Sequence, residues 1–267
     1  MLFSASGMCA LFNLARRKPL PLRQTVHADV PKLLDANLAA VYYGHRMGGD
    51  FYDFVRVGSS RVLFGLLDVA GRADENQDIV SAVQSTFRDA GTQLFAEEDV
   101  NPAEAMIELC LQINRAVLKA AGKVHPCPAF AGCYDESVGT VVYFNAGHTP
   151  GLVRDHTGVS ELPATGLPLG LFSHTTCDAS AVMMQPGTAL LLVSRGIVEA
   201  KCGGEELGLD SVKKGFHAST AANANEICTS ILDRVQEFMC KPPTHNDVTA
   251  LALSRTAAMK VVSLGNA

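Results

Sequence analysis

The chain has 267 residues, of which 48% are hydrophobic and 18% are charged, and its formal net charge is −5. This composition is typical of one large globular domain, or of one domain with a tail. The negative charge and the lack of a long Lys/Arg run argue against a nucleic-acid-binding surface. The eight cysteines are scattered, with no Cys-x-x-Cys motif and no zinc-like spacing, so we expect a reducing, cytoplasmic compartment.

The N-terminal segment differs from the rest of the chain. Residues 2–15 are mildly apolar, and the basic cluster Arg16-Arg17-Lys18 follows them, which reverses the order found in a secretory signal. The apolar stretch is also too short to span a bilayer. We therefore expect residues 1–27 to form a poorly ordered leader or a short docking helix, and weak contact with a membrane surface stays open.

Two strands are predicted next, over residues 51–57 and 61–67, with the turn Gly58-Ser59-Ser60 between them. With Ser59 at the apex of the turn, Asp50 falls directly opposite Asp68. Opposed carboxylates lie about 5 Å apart and repel each other. A hard divalent cation such as Mg²⁺ or Mn²⁺ turns that repulsion into a pair of ligands. Two alternatives remain open: one aspartate points to solvent, or a bulge breaks the register.

Two helices are predicted after this hairpin. In the first, apolar residues recur at helical spacing over residues 79–94. The second has a strong start signal, with Asn101 as the N-cap, Pro102 at the first helical position and Glu104 closing a capping box. Gly122 then ends it.

The remainder of the chain is first strand-like and then helical. Short apolar or alternating runs predict strands over residues 129–134, 139–145, 151–154 and 189–193. A short helix capped by Asp210 and ending near Phe216 follows, then a longer helix over residues 227–238 and a last strand over 247–253. This order differs from the alternating strand–helix order of a parallel sheet. It predicts an α+β fold, most simply two antiparallel sheets with helices outside.

Six short motifs occur in an order that is specific for one family: Gly-Gly-Asp-Phe-Tyr-Asp (48–53), Leu-Asp-Val-Ala-Gly-Arg (67–72), Phe-Asn-Ala-Gly-His-Thr-Pro (144–150), Gly-Leu-Pro-Leu-Gly (166–170), Val-Ser-Arg-Gly-Ile-Val-Glu-Ala (193–200) and Asn-Asp-Val-Thr (246–249). The series resembles the metal-dependent PPM family of serine/threonine protein phosphatases, and within it the bacterial SpoIIE-like branch that acts on sigma-factor regulators. The resemblance implies an αββα sandwich. We assign residues 28–256 to this domain and 257–267 to a tail.

The resemblance also implies a metal site. Asp50 and Asp68 match metal ligands of the family, and the backbone carbonyl of Val69 matches another. In the family two Mg²⁺ or Mn²⁺ ions, both bound by the aspartate that corresponds to Asp68, promote in-line attack on a phosphomonoester.

Two departures from the family pattern affect this site. The chain has Arg195 where the family has the aspartate of Ser-Asp-Gly, and Asn246 where it usually has an aspartate before Asp247. By the resemblance, both missing carboxylates serve the same ion, the one opposite the ion bound by Asp50 and Val69. We therefore expect one Mn²⁺ or Mg²⁺ ion instead of two, with Asn246 as a weak remaining oxygen ligand of the depleted site.

The role of the two arginines stays open. Three interpretations of Arg195 are possible. Its side chain points away as a surface residue, it pairs with Asp68 or Asp247 in place of the lost ion, or it binds phosphate directly. Arg46 lies four residues before Asp50, a spacing at which some family members carry a phosphate-binding arginine. A guanidinium suits bidentate contact with phosphate, but a solvated charge at a strand end explains Arg46 equally well.

Three further residues are candidates for support of the site. His148 resembles a motif residue near the phosphate cleft, although such a histidine is more often held in a loop by hydrogen bonds. Asp53 either supports the metal ligands or is simply the next polar position of its strand. Asp247 lies beside the altered ligand position.

These observations are compatible with three competing functions. The first is a phosphoserine/phosphothreonine protein phosphatase of weak activity, with a phosphorylated regulatory protein, of the anti-sigma-antagonist type, as its substrate. The second is an inactive pseudophosphatase that binds such a regulator. A third, weaker candidate is a structural signalling domain that the leader docks to a partner. No transmembrane segment is predicted, and the sequence does not determine the oligomeric state.

Overall fold

The computed structural model describes residues 30–43, 49–69, 71, 73–239 and 247–256. The strands are, in chain order, β1 (Ala36–Tyr43), β2 (Asp50–Val57), β3 (Arg61–Asp68), β4 (Ala129–Asp135), β5 (Thr140–Ala146), β6 (Gly151–Asp155), β7 (Gly158–Leu162), β8 (Ser180–Met183), β9 (Ala189–Val193), β10 (Lys201–Cys202), β11 (Glu205–Glu206) and β12 (Val248–Arg255). The helices are α1 (Ala73–Leu94), α2 (Pro102–Ala121), α3 (Arg195–Val198), α4 (Gly208–Ala218) and α5 (Ala224–Phe238). The predicted leader and tail lie outside these ranges.

The strands form two five-stranded antiparallel sheets and a small hairpin, β10-β11. The first sheet has the order β1-β12-β9-β6-β7, and the second has the order β2-β3-β4-β5-β8. Helices α1 and α2 pack against the second sheet, and α4 and α5 pack against the first. The predicted αββα sandwich is therefore confirmed.

The core consists of three apolar layers, which follow from the two faces of each sheet. One layer lies between the sheets, where Phe64 and Phe130 from one sheet meet Leu192 and Leu251 from the other. The other two layers lie between each sheet and its pair of helices. Because strands such as β3 and β9 are covered on both faces, they are almost continuously apolar and buried.

The β2–β3 hairpin has the predicted register. Val57 pairs with Arg61 across the turn, and Asp50 pairs with Asp68 at the open end. Gly58 adopts φ 63° at the start of the turn, a left-handed conformation that glycine adopts without a steric cost. The position of the turn therefore fixes the pairing of the two aspartates.

Five strands were missed in the sequence, and the start of α4 and one capping contact of α2 differ from the prediction. The missed strands are the two-residue strands β10 and β11 and the sheet-edge strands β1, β7 and β8. Strands β7 and β8 are short, have two exposed residues each and carry no clear apolar pattern. Helix α4 begins with Leu207 at the N-cap position, so Asp210 lies within its first turn and is not the cap. At α2, Asn101 accepts from the amide of Ala103 as expected, but Glu104 accepts from the Asn101 side chain and not from its backbone.

The cysteines are mostly buried thiols. Cys110, Cys127, Cys133, Cys177 and Cys228 are free and buried. Burial raises the pKa of Cys133 and of Cys228 to about 12, so both thiols stay protonated and unreactive at neutral pH. Cys202 is disulfide-bonded, so the expectation of reduced thiols holds for these five residues and not for Cys202.

Candidate active site

The aspartate pair lies at one end of the cleft between the two sheets. Asp50 begins β2 and Asp68 ends β3, and each lies on the same strand face as the inter-sheet residues Phe54 and Phe64. From the opposite sheet, the Thr249 hydroxyl donates a 2.6 Å hydrogen bond to Asp50 Oδ2. The site is therefore built jointly by the β2–β3 hairpin at the edge of one sheet and by β12 of the other.

The close packing of Gly49 against Val69 explains why a glycine precedes Asp50. The backbone of Gly49 approaches Val69 so closely that its carbonyl accepts a 2.9 Å hydrogen bond from the Val69 amide. A Cβ atom at position 49 would lie 1.8 Å from the Val69 carbonyl oxygen, so any other residue would push the two segments apart. The same oxygen accepts a 3.0 Å hydrogen bond from Asn76 Nδ2 on α1, which holds the predicted carbonyl ligand in place.

Arg195 forms an ion pair with Asp68. It is the first residue of α3, and its Nε lies 3.2 Å from Asp68 Oδ2 and 3.9 Å from Glu199 Oε1. Of the three interpretations considered for Arg195, this geometry corresponds to the ion pair. Asp50 has Thr249 as its hydrogen-bond partner instead.

The carboxylates carry more negative charge than their surroundings neutralise. Burial raises the pKa of Asp50 well above its usual range, and the negative charge of Asp68 raises it further, although the Thr249 hydrogen bond opposes this. Burial also raises the pKa of Asp68, against the lowering effect of Arg195, and the charges of Glu199 and Asp247 add to the rise. Both carboxylates are therefore disfavoured in their charged form, and either a proton or a cation relieves this.

Asp247 supports the aspartate pair from the opposite sheet. Its Oδ2 accepts a 2.7 Å hydrogen bond from the Tyr42 hydroxyl and a 3.4 Å one from the Asp50 amide. Ser194 joins the same network, because its Oγ donates to the Asp247 carbonyl at 3.3 Å and accepts from the Thr249 amide at 3.0 Å. From the sequence, no role was expected for Tyr42, Ser194 or Thr249. The signal that was available is that all three are hydroxyl residues at or next to the end of a strand.

Asp53 does not support the metal ligands. It shares the strand face of Phe51, which packs against the helices, and is therefore on the opposite side of β2 from Asp50. Its fully buried carboxylate accepts two hydrogen bonds from Arg88 on α1, at 2.6 and 2.7 Å, and one from the Phe54 amide at 2.8 Å. Of the two interpretations of Asp53, these contacts correspond to the structural one, in which the residue joins β2 to α1.

His148 is buried in the loop after β5 and held by hydrogen bonds. Its amide donates to Asn145 Oδ1 at 2.8 Å, and its Nδ1 lies 3.1 Å from the Thr149 carbonyl oxygen. Its Nε2 is buried and has no hydrogen-bond partner among the described residues. Burial lowers the pKa of His148 to about 4, so we expect a neutral ring at physiological pH.

We predict that His148 makes the fold sensitive to acid. Because its pKa is lower in the folded chain than the unfolded value of about 6.5, the unfolded chain takes up the extra proton as pH falls, and stability present above pH 6.5 is lost towards pH 4. Between pH 7 and pH 5 this loss amounts to about 2 kcal/mol. Urea unfolding at both pH values should show that loss in the wild type and not in His148→Gln. The exposed His156 provides the control His156→Gln, which should behave like the wild type; equal losses in all three proteins would contradict the prediction.

Two candidate residues lie outside the described part of the chain: Arg46 and Asn246. Their predicted roles, phosphate contact and weak metal ligation, stay predictions.

The described residues offer oxygen ligands of the kind that a hard divalent cation binds. No three His, Cys, Asp or Glu side chains in the described part of the chain form a group that could hold a metal ion. Asp50, Asp68 and the Val69 carbonyl do provide oxygen ligands of the type that Mg²⁺ and Mn²⁺ prefer, with surplus negative charge around them. The Asp68 carboxylate is at the same time paired with the guanidinium of Arg195.

The fold and this site define a phosphatase-type αββα sandwich with an aspartate pair at the open end of its β2–β3 hairpin. The chain belongs to the SpoIIE family, because the family model described as stage II sporulation protein E matches residues 58–256. None of the described helices combines the length and the apolar character that crossing a bilayer requires.

Similarity to known proteins supports the same family. Phosphoserine phosphatase RsbP of Bacillus subtilis (strain 168) is 26% identical over 194 residues, which cover 70% of this chain but only 47% of that protein. The chain thus spans less than half the length of this relative.

Solved structures share the fold. The RsbU and RsbW domains of a Mycobacterium tuberculosis protein superpose with a TM-score of 0.69 at 24% identity, covering 85% of this chain and 63% of that one. The catalytic domain of the serine threonine protein phosphatase PstP, in complex with two manganese ions, superposes with a TM-score of 0.59 at 12% identity, covering 83% and 99%. At these identities the two structures bear on the fold alone.

Proposed function

We propose that this chain is a SpoIIE-like domain that removes phosphate from phosphoserine or phosphothreonine of a regulatory protein, with a depleted metal site and weak turnover. The observation that carries the proposal is the ion pair between Arg195 and Asp68, at 3.2 Å, beside an otherwise preserved aspartate pair. The name of RsbP, a phosphoserine phosphatase, supports the substrate class.

In this proposal each residue has a separate task. Asp50, Asp68 and the Val69 carbonyl hold one Mn²⁺ or Mg²⁺ ion, and Thr249 fixes the carboxylate of Asp50. The ion, when bound, supplies Lewis-acid stabilisation of negative charge on a phosphoryl oxygen. Arg195, whose side chain is nearly half exposed, donates hydrogen bonds to phosphate.

Two further residues, Arg46 and Asn246, have proposed roles at the same site. Arg46 contacts phosphate from the segment before β2, and Asn246 offers a neutral oxygen in place of a carboxylate. The partner is a phosphorylated regulatory protein in bacterial signalling, of the anti-sigma-antagonist type.

The second candidate is a pseudophosphatase that binds the regulator without turnover. It is favoured by one observation, namely that protein groups already occupy an oxygen of each aspartate: Arg195 on Asp68 and Thr249 on Asp50. The aspartate pair then serves the stability and shape of the cleft.

A phosphatase assay with Mn²⁺ titration distinguishes the two candidates. The substrates are a phosphoserine peptide and a small phosphomonoester, and the control is Asp50→Asn, which removes a proposed ligand charge but keeps the size of the side chain. Slow, Mn²⁺-dependent turnover that Asp50→Asn abolishes supports the phosphatase. Turnover that is absent at every Mn²⁺ concentration leaves the pseudophosphatase, and rates typical of fully active enzymes would contradict both the depleted site and the pseudophosphatase.

We predict that the wild-type chain binds at most one Mn²⁺ ion tightly. The cation that would sit on the Arg195 side of Asp68 meets a positive charge there and has only Asp68 and the amide oxygen of Asn246 as ligands. Isothermal titration calorimetry should give a stoichiometry near one, and anomalous scattering should show one occupied site. Two well-occupied sites would defeat this prediction.

A further inference from the structure

Three large apolar side chains are exposed on the surface next to the aspartate pair. Val124 is 64% exposed, Leu167 is 53% exposed and Phe172 is 54% exposed. Val124 lies between α2 and β4, and the other two residues lie between β7 and β8. These three residues form an apolar rim. Single exposed apolar residues are common, whereas a group of them beside a candidate active site indicates a contact surface for a partner.

Backbone hydrogen bonds bring the two segments of the apolar rim together. The amide of Cys127 donates to the carbonyl of Leu169 at 2.8 Å, and the amide of Leu169 donates back at 3.1 Å, as in an antiparallel pair. Val124 and Phe172 therefore lie towards the same end of this short pairing. Leu167 lies towards its other end, near the start of β4.

This pairing lies about two strand widths from Asp68. The Asp68 amide donates to the Pro128 carbonyl at 2.9 Å, and the preceding residue, Cys127, pairs with Leu169 on the opposite side of the same segment. Because adjacent strands lie about 4.8 Å apart, Leu169 is about 10 Å from Asp68. The apolar rim is therefore within reach of a peptide whose phosphoserine occupies the site.

Asn114 on α2 fixes the segment that carries Phe172. The buried side chain of Asn114 donates to the Phe172 carbonyl at 2.9 Å and accepts from the Gly170 amide at 2.8 Å. The exposed ring of Phe172 thus projects from a backbone that is held against a helix. A partner that binds this surface therefore has little backbone to order, which lowers the cost of association.

The surface around the apolar rim also suits an anionic partner. Neither segment 122–128 nor segment 165–177 contains an Asp or a Glu, although the chain has 27 acidic residues. A phosphorylated segment that lies along these residues meets no carboxylate from them, so charge repulsion does not oppose its binding.

We propose that the apolar rim is the docking surface for the phosphorylated regulatory protein, and that it binds apolar side chains about three to six residues away from the phosphoserine. The spacing follows from the separation of about 10 Å or more and from a rise of about 3.3 Å per residue in an extended segment. This inference rests on the proposed function and adds to it the feature that selects one phosphoserine among others.

Fluorescence anisotropy with two labelled phosphoserine peptides of about 15 residues tests the proposal. Both have a central phosphoserine in a Gly/Ser background; one carries Leu three and five residues away on each side, and the other carries Ser there. We expect the full chain in Mn²⁺ to bind the Leu peptide about 20-fold more tightly than the Ser peptide. In Phe172→Ser this preference should fall to about fourfold, and in Leu167→Ser with Phe172→Ser to less than about twofold.

The chain offers a matched control for a third substitution. Val124→Ser should weaken binding of the Leu peptide about threefold. Val138→Ser should leave it unchanged, because Val138 is similarly exposed, at 59%, in the turn between β4 and β5, at the far end of these strands from Asp68.

Two further measurements show that the variants differ from the wild type only in docking. Hydrolysis of a small phosphomonoester should be the same in all of them, because such a substrate does not reach the apolar rim. Thermal unfolding of each variant, with Phe172→Ala as a second substitution, ensures that folded proteins are compared.

Several outcomes would overturn the proposal. These are equal affinity of the wild type for the Leu and Ser peptides, equal effects of Val124→Ser and Val138→Ser, and no binding of either peptide. A wild-type dimer in sedimentation that Phe172→Ser converts to a monomer would also overturn it, because a second copy of the chain would then cover the apolar rim.

The binding measurement separates this inference from the proposed function. A chain that prefers the Leu peptide and hydrolyses nothing keeps this inference and loses the proposed phosphatase activity. A chain that hydrolyses both peptides and binds them equally keeps the activity and loses this inference.

Discussion

Restoring both family carboxylates in one chain, as Arg195→Asp with Asn246→Asp, is expected to raise phosphomonoester hydrolysis in Mn²⁺ by about 100-fold or more. The double variant removes the cation that now pairs with Asp68 and supplies two charged oxygen ligands for a second ion. Two ions stabilise the attacking and the leaving oxygens together, which one ion with an arginine does not reproduce.

The single variants are expected to gain much less. The members of a two-metal site act as a unit, so one restored ligand leaves the second ion weakly bound. Calorimetry on the same proteins should show the second Mn²⁺ only in the double variant. Lys123→Asp, a charge reversal at an exposed residue, changes the net charge by as much as Arg195→Asp and is the control for that single variant. A double variant that binds a second Mn²⁺ and gains no activity would show that metal loss is not what limits turnover.

The second large effect is expected at the ion pair between Arg88 and Asp53. Arg88→Met keeps the apolar stem of the side chain but leaves the fully buried carboxylate of Asp53 with only the Phe54 amide as a described partner. Leaving a buried charge without its counter-ion typically costs about 3 kcal/mol or more. Urea unfolding should show this loss, and the melting temperature should fall by about 10 °C for a domain of this size.

The chain offers a matched control for this substitution. Arg115→Met breaks the pair with Glu108, which has an N–O distance of 3.4 Å and side chains that are 64% and 41% exposed, and an exposed pair contributes less than about 1 kcal/mol. A second test is the double variant Arg88→Met with Asp53→Asn, which removes the unpaired charge and should recover part of the loss. Equal stability of Arg88→Met and the wild type would mean that Asp53 finds another partner or a proton.

The sequence predicted those parts of the fold that depend on local signals. Helix α2 starts at Asn101 and Pro102 and ends at Gly122 because capping residues act within one turn of the helix. The edge strands β7 and β8 were missed because they are short and partly exposed. Their residues therefore need no apolar alternation that a local pattern could reveal. The position of Asp210 was misjudged because helix boundaries vary by a few residues in any local analysis.

The sequence by itself determined the aspartate pair, since the turn at Gly58 and the two-residue period of a strand fix the register that places Asp50 opposite Asp68. Family motifs also indicated that Arg195 replaces a ligand, but three positions for its side chain remained possible. Only the tertiary structure decided that Arg195 pairs with Asp68, that Thr249 reaches Asp50 from the other sheet, and that Asp53 faces α1. Such contacts join segments far apart in sequence, so they depend on how sheets and helices pack and not on any local pattern.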